Sequence, residues 1–223
     1  ILTLKDNNIT NHSMKNIIVE GNIGSGKSTF LHELEKRIAI TTIQEPVHEW
    51  FKVKDENETS LFENFYQSPS KYAFLLQMNI LSTRFNSFEQ HQTTFKITNV
   101  FERSILTDKH IFVPSLSELE YLSIMEQQVF ENVYDSMKSQ VNRIHGIIYL
   151  QCDPTVSYQR VRNRNRKGED GVTLDYLQRL HTKHEDWLLH EKDIPVFVLD
   201  VSNKTASDCI REPLVSFLQK IEI

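Results

Sequence analysis

The chain has 223 residues, 39% of them hydrophobic and 25% charged, with a formal net charge of −5 at pH 7. That length suits one well-buried α/β core and crowds two, while the acidic balance excludes a broad nucleic-acid surface, which needs an excess of Lys and Arg. Cys152 and Cys209 are too few for a disulfide framework, and no apolar run reaches the roughly 20 residues of a membrane span.

Residues 1–14 are mostly polar, with neither a signal-peptide core nor an Arg-rich transit pattern, and read as an extension ahead of a single domain over 15–223. Short apolar stretches at 16–20, 41–44, 95–101, 146–150 and 195–199 predict strands covered on both faces. Helical stretches separate them, which is the βαβ rhythm of a parallel sheet. Residues 29–38 predict the first of these helices. A long helix is expected over 69–90, with Ser68 as N-cap and Pro69 at the first helical position. Ser117-Glu118-Leu119-Glu120 has the form of a capping box and predicts a second long helix, running to Ser139. The most polar segment, 160–171, reads as a flap between helices.

Between the first strand and the first helix stands Gly21-Asn22-Ile23-Gly24-Ser25-Gly26-Lys27-Ser28-Thr29, a Gly-x4-Gly-Lys-Ser phosphate loop. A strand turning into a helix aims backbone N–H groups and the positive end of the helix dipole at one point. Lys27 is expected to reach the β- and γ-phosphates of a nucleoside triphosphate, and the Ser28 hydroxyl to hold Mg²⁺. Ligands of such sheets lie beyond the carboxyl ends of the strands, where Glu45, Glu102 and Arg103 follow predicted strands. Taken alone, Glu102-Arg103 is an ordinary surface ion pair, and Gln77 an ordinary helix position. Gln77 and Arg84 are seven apart, two turns, so one helix face presents both.

With the phosphate loop, Glu45-Pro46-Val47, Gln77 with Arg84, Glu102-Arg103-Ser104 with Asp108, and Arg160-x3-Arg164-x-Arg166, the chain resembles the deoxynucleoside kinase family from about residue 15 to residue 200. The likeness is greatest to its deoxycytidine and deoxyguanosine kinase branch. The resemblance implies an α/β P-loop kinase, a three-layer sandwich with a five-stranded parallel sheet flanked by helices. It implies ATP-dependent phosphorylation of a deoxynucleoside 5′-hydroxyl in nucleotide salvage. Deoxycytidine is the foremost acceptor, purine deoxynucleosides are further ones, and other nucleoside triphosphates are alternative donors.

Carried onto this chain, the family pattern makes Glu45 the base for the 5′-hydroxyl and Glu102 a partner of Mg²⁺, although Glu102 is also a conceivable base. Arg103 would hold the 5′-oxygen and steady a carboxylate. Gln77 would read the base edge, and Arg84 with Asp108 would form the other polar wall. Val47, Trp50 and Phe112 would be apolar walls, and Tyr66 with Glu169 would hold the sugar 3′-hydroxyl. Arg160 and Arg164, with Arg166 assisting, would clamp the ATP phosphates from a lid at 160–171. Two features depart from the pattern. Asp200-Val201-Ser202-Asn203-Lys204-Thr205 lacks the aromatic usual near the donor adenine, and Leu76 stands where an aromatic often stacks on the acceptor base, with a bulky Ile80 nearby.

The family pattern further implies a homodimer built on the two long helices, with no nucleic-acid or membrane partner. Cysteine usage points to the cytoplasm, and a mitochondrial address stays open because Ile1 is not an initiator. A nucleoside monophosphate kinase with the same loop is a rival reading, as is a non-catalytic nucleotide-binding switch. For a guanine-reading switch, Asn203-Lys204-Thr205-Ala206 fails the Asn-Lys-x-Asp motif at its fourth place.

Overall fold

Strands apolar at nearly every position must be covered on both faces, and that requirement sets the layers of this protein. The structure, a computed structural model, describes residues 15–92 and 98–221. Its sheet has strands β1 (Asn16–Glu20), β2 (Thr41–Ile43), β3 (Asn99–Glu102), β4 (Gly146–Gln151) and β5 (Val196–Asp200). Their order is β2-β3-β1-β4-β5 and every pair is parallel, as the sequence predicts.

Helices fill the crossovers: α1 (Lys27–Arg37), α2 (Val47–Trp50), α3 (Leu61–Gln67) and α4 (Pro69–His91) precede β3. Beyond it, α5 (Ile105–Thr107) continues through a π-helical turn (Asp108–Phe112) into α6 (Val113–Glu118), followed by α7 (Ile124–Lys138). After β4 come α8 (Pro154–Arg164) and α9 (Leu174–Leu188), and after β5 α10 (Ala206–Cys209) and α11 (Glu212–Lys220).

Alternate residues of the central strands enter opposite cores. Ile18, Ile147 and Tyr149 pack with Leu76 and Leu81 of α4, Phe130 of α7 and Leu177 of α9. Ile17, Val19, Ile148 and Leu150 pack on the other face, with Phe30, Leu31 and Leu34 of α1 and Leu214 of α11. The connection from β1 leads towards β2, and that from β3 crosses over β1 to β4. The chain thus reverses direction beside β1, and a crevice opens beyond the strand ends there.

Several boundaries differ from the sequence reading. The helix predicted from Ser117 starts later: Ser117 lies inside α6, its hydroxyl donating to the Val113 carbonyl at 2.8 Å, and Glu120 has a left-handed φ of 57° that breaks the run. A second, stronger box opens α7. Ser123 Oγ accepts from the Glu126 N–H at 3.3 Å, and Glu126 Oε2 accepts from the Ser123 N–H at 2.7 Å. Ser68 precedes α4 as expected, but its side chain caps nothing, because the same residue ends α3 with its N–H on the Asn64 carbonyl at 2.9 Å. Within the segment expected as a flap, Arg160 to Arg164 form the last turn of α8, and the irregular part runs over 165–173. The predicted strand 95–101 begins at Asn99, its first residues lying outside the described ones. The predicted extension, residues 1–14, also lies outside them.

The two capping sites make the α7 boundary measurable. Ser123→Ala is expected to lower stability by about 1 kcal/mol, whereas Ser117→Ala should change it by less than about 0.5 kcal/mol. Urea denaturation midpoints of the two variants would separate these outcomes.

Candidate active site

The phosphate loop follows β1 without a spare residue, and two of its glycines, Gly21 and Gly24, are required by close approach. A Cβ on Gly21 would lie 2.7 Å from the Leu150 carbonyl oxygen, and one on Gly24 2.5 Å from that of Ser157. Gly24 also has a φ of +80°, which L side chains rarely adopt. The loop is held in shape by Asn22, whose Nδ2 donates to Leu177 O at 2.8 Å and whose Oδ1 accepts from the Ile23 N–H at 2.9 Å. Helix α1 opens with no side-chain cap and no acid in its first turn. Its first N–H groups and the positive end of its dipole therefore remain available to an anion. Lys27 is buried, its Nζ donating to the carbonyls of Gly21 at 3.0 Å and Asn22 at 2.9 Å. Burial, reinforced by the charge of Arg103, pulls this ammonium down to about 7 against the pull of Glu102, Glu45 and Glu20.

Three strand ends deliver carboxylates to the same place. Glu45 follows β2, Glu102 ends β3 and Glu20 ends β1. The Glu45 side chain is only 7% exposed and sits between two guanidiniums. Arg103 Nη1 donates to both its oxygens at 3.1 Å, and Arg84 approaches Oε1 through Nη2 and, at 3.2 Å, through Nε. Burial pushes the Glu45 carboxyl up, but Arg103, Arg84 and Lys27 together overcome that and hold it at about 2. Arg103 takes a left-handed φ of 62° that turns its side chain back into the crevice, where Nη2 also donates to Gly21 O at 3.2 Å. Strained backbone of this kind clusters at functional sites. Ser28 Oγ donates to Glu102 at 2.9 Å, bringing the hydroxyl of the loop and a strand-end carboxylate together.

A cavity of about 280 Å³ opens beside Glu45. The predicted residues Val47, Trp50, Tyr66, Gln77, Arg84, Phe112 and Glu169 all line it, with Leu76 and Ile80. Gln77 and Arg84 indeed share the inward face of α4, and Gln77 Oε1 is buried with no hydrogen-bond partner among the described residues. The rings steady the cations: Arg84 lies 5.7 Å from the ring centres of Trp50 and Phe112, and Arg103 5.1 Å from that of Phe112. Trp50 is fixed in turn by Nε1 donating to Thr83 Oγ1 at 3.0 Å. Asp108 is brought to Arg84, with which it pairs, but it is fully buried and lines no described cavity.

A second cavity, of about 530 Å³, lies on the other side of the loop, lined by Ser25, Gly26, Thr29, Arg160, Lys204 and Thr205 among others. The two cavities share Gly24, Lys27, Ser28, Glu102, Arg164 and Arg166 as a common wall. Arg160 reaches past the loop to donate to Val201 O at 2.9 Å and Ser25 O at 3.3 Å. Arg164 and Arg166, expected on phosphates, pair with Glu169 at 2.6 Å and 3.3 Å. Lys167 ties the same segment to Glu63 of α3 at 2.8 Å.

Sequence reasoning missed Glu20, Thr107 and Tyr176. Glu20 is wholly buried and accepts from Thr107 Oγ1 at 2.6 Å, while burial raises its carboxyl to about 7 against the pull of Thr107, Arg103, Arg84 and Lys27. An acid directly after the apolar run of β1 was the available signal. Tyr176 lines the first cavity from α9 and carried no such signal.

The position of Lys27 has a pH consequence. A phosphate chain at the loop would restore the ammonium's charge and raise it above about 7. Nucleotide binding above pH 7 should therefore be accompanied by proton uptake, and affinity should fall as pH rises through that range. Titration calorimetry in two buffers of different ionisation heat would check both.

Comparisons with known proteins agree with this geometry. The sequence model described as deoxynucleoside kinase matches residues 17–221. A probable deoxycytidine kinase of fowlpox virus (strain NVSL) is 32% identical over 203 residues, covering 89% of this chain and 83% of its own. Deoxycytidine kinase of Homo sapiens is 29% identical over 241 residues, covering 93% and 92%. A mitochondrial deoxyguanosine kinase of Xenopus laevis is 29% identical over 238 residues, covering 92% and 90%. With nearly the whole chain inside one family pattern, and a phosphate loop facing a buried carboxylate across a shared wall, this protein belongs to the deoxynucleoside kinase family.

Proposed function

We propose that the protein transfers the γ-phosphoryl group of ATP to the 5′-hydroxyl of a deoxynucleoside, deoxycytidine foremost and purine deoxynucleosides as further acceptors. The observation that carries this reading is the common wall: the pocket beside Glu45 and the cavity along the phosphate loop meet at Lys27, Ser28 and Glu102. The acceptor base lies against Gln77, whose unpaired amide oxygen takes an exocyclic N–H, between Phe112 and the apolar residues of α2 and α4. Tyr66 and Glu169 face the sugar, and Arg160, Arg164 and Arg166 gather around the phosphates.

Glu45 orients the acceptor hydroxyl. The hydroxyl oxygen bonds to the γ-phosphorus as the bond to the β-γ bridging oxygen breaks, the electron pair leaving on ADP and the proton passing to Glu45. A carboxylate held near 2 is a weak base, so the proton moves late. That suits a loose transition state, in which positioning and charge do most of the catalysis. Lys27, Arg103 and the lid arginines meet the charge that builds on the phosphoryl oxygens.

The donor set fits Mg²⁺: the Ser28 hydroxyl and a Glu102 oxygen, 2.9 Å apart, are hard oxygen ligands of the kind that ion takes. Charge neutralisation on the phosphates is what the ion supplies when bound.

Apolar side chains exposed on the long helices support a homodimer. Leu75 of α4 is 53% exposed, and Ile124 and Met125 at the start of α7 are 75% and 74% exposed. Both cysteines are free and buried, which supports a reducing compartment, the cytoplasm as first reading. No described helix is long and apolar enough to cross a membrane.

Glu45→Gln should lower kcat by about 10²–10⁴-fold with an unchanged melting temperature. A panel of deoxynucleosides against ATP and UTP should give monophosphates, and deoxycytidine monophosphate should not replace deoxycytidine as acceptor. Turnover of the monophosphate alone would favour the rival kinase reading. Light scattering should report twice the chain mass, falling to one chain mass in Ile124→Glu with Met125→Glu.

A further inference from the structure

The irregular segment 165–173 is slung between α8 and α9, and both of these helices rest on the phosphate loop. On the α8 side the contact is steric. Gly24 lies so close to that helix that a Cβ there would stand 2.5 Å from the Ser157 carbonyl oxygen and 2.9 Å from Val161 Cγ2. On the α9 side the contact is a directed hydrogen bond. Asn22 Nδ2 donates to the Leu177 carbonyl at 2.8 Å, across 155 positions of sequence. Among the described residues it is the only hydrogen bond that joins the loop to α9.

Asn22 is buried and lines neither of the two cavities, so its side chain is not placed to touch a nucleotide or an acceptor. Its main chain is nevertheless at the centre of the loop. The Asn22 carbonyl accepts from Lys27 Nζ at 2.9 Å and from the Ser25 N–H at 3.2 Å, and its Oδ1 accepts from the Ile23 N–H at 2.9 Å. A phosphate chain that draws on Lys27 therefore acts directly on the peptide to which the Asn22 side chain belongs. At the far end of the bond, Leu177 follows Tyr176, which lines the cavity beside Glu45. Glu169, within the slung segment, lines the same cavity, and Arg166 reaches both cavities. Whatever fixes the loop thus fixes the start of α9 through one buried amide, and with it part of the acceptor wall.

We propose that Asn22 is a positioning residue that couples the two cavities: through its bond to Leu177, a nucleotide seated on the phosphate loop orders the start of α9 and tightens acceptor binding. This rests on the reading of the cavities as donor and acceptor sites. The sign follows from ordering, since an acceptor that meets a wall already held in place has less of it to immobilise. By linkage the effect is reciprocal, each ligand strengthening the other by the same factor. Because Asn22 touches neither ligand, it acts on every acceptor alike.

The test is the dissociation constant of deoxycytidine, without nucleotide and at saturating ADP, for the unaltered chain, Asn22→Ala and Asn22→Asp. Melting temperatures are measured alongside, and a purine deoxynucleoside replaces deoxycytidine where it binds more tightly. ADP should tighten the acceptor about tenfold in the unaltered chain, and less than about twofold in either variant. Asn22→Asp is the sharper of the two. Its carboxylate keeps an oxygen for the Ile23 N–H but has no proton for Leu177, so a residue that merely shaped the loop would leave the ratio intact there. An intact ratio in Asn22→Asp, or a ratio near one in the unaltered chain, would overturn the proposal. Failure of every deoxynucleoside to bind, with or without ADP, would instead remove the acceptor reading and this coupling with it. Should the variants fail to fold or to bind ADP, hydrogen exchange in the unaltered chain decides. ADP alone should slow the amides of residues 174–181 severalfold, and unchanged rates there would overturn the proposal.

Discussion

A carboxylate taken out of water stays ionised only where cations meet it at close range, and the crevice is organised by that constraint. Four acids and three bases meet beyond the strand ends: Glu20, Glu45, Glu102 and Asp108 with Lys27, Arg84 and Arg103, each with a side chain that is largely or wholly buried. Each base comes from a different segment, so the ion network can exist only when α1, α4 and the turn after β3 are all in place. The fold makes the charge cluster, and the cluster in turn restricts how those segments can sit. Breaking any one pair leaves a buried charge uncompensated, the most expensive local defect available to such a core.

The balance within that cluster also explains the chemistry it favours. Two guanidiniums keep Glu45 ionised and aligned at the expense of its basicity. For a reaction whose nucleophile must be strongly activated this would be a poor arrangement. Transfer of a phosphoryl group through a loose transition state asks for less activation and more alignment. Aromatic faces at Trp50 and Phe112 add a second layer, fixing the same guanidiniums that fix the carboxylate. The pocket wall that would hold a base and the groups that would orient a hydroxyl are one connected structure.

Much of this was legible in the residues, and the part that was not has physical reasons. The parallel sheet was readable because β1 and β4 each carry an apolar run, 17–19 and 147–150, and the phosphate loop because its spacing is fixed by backbone geometry. The inward face of α4 followed from helical period alone, which put Gln77 and Arg84 together correctly. Ser117 misled because a capping box and a serine bonding back to its own helix share one pattern, and only the left-handed Glu120 separates them. The Arg84–Asp108 pair was foreseen but not the second hand of Arg84 on Glu45, since contacts between residues 39 positions apart have no local signature. Arg164 and Arg166 were read through the family resemblance, whereas their present partner, Glu169, follows from how the loop folds back.

The left-handed backbone at Arg103 carries an energetic cost. Such a conformation costs a residue with a side chain about 1–2 kcal/mol, and glycine would relieve it. Natural selection for a sturdier molecule would thus favour glycine there, provided the neighbouring acid were neutralised in the same stroke. A lineage freed from its enzymatic duty should drift that way, acquiring robustness as it loses craft.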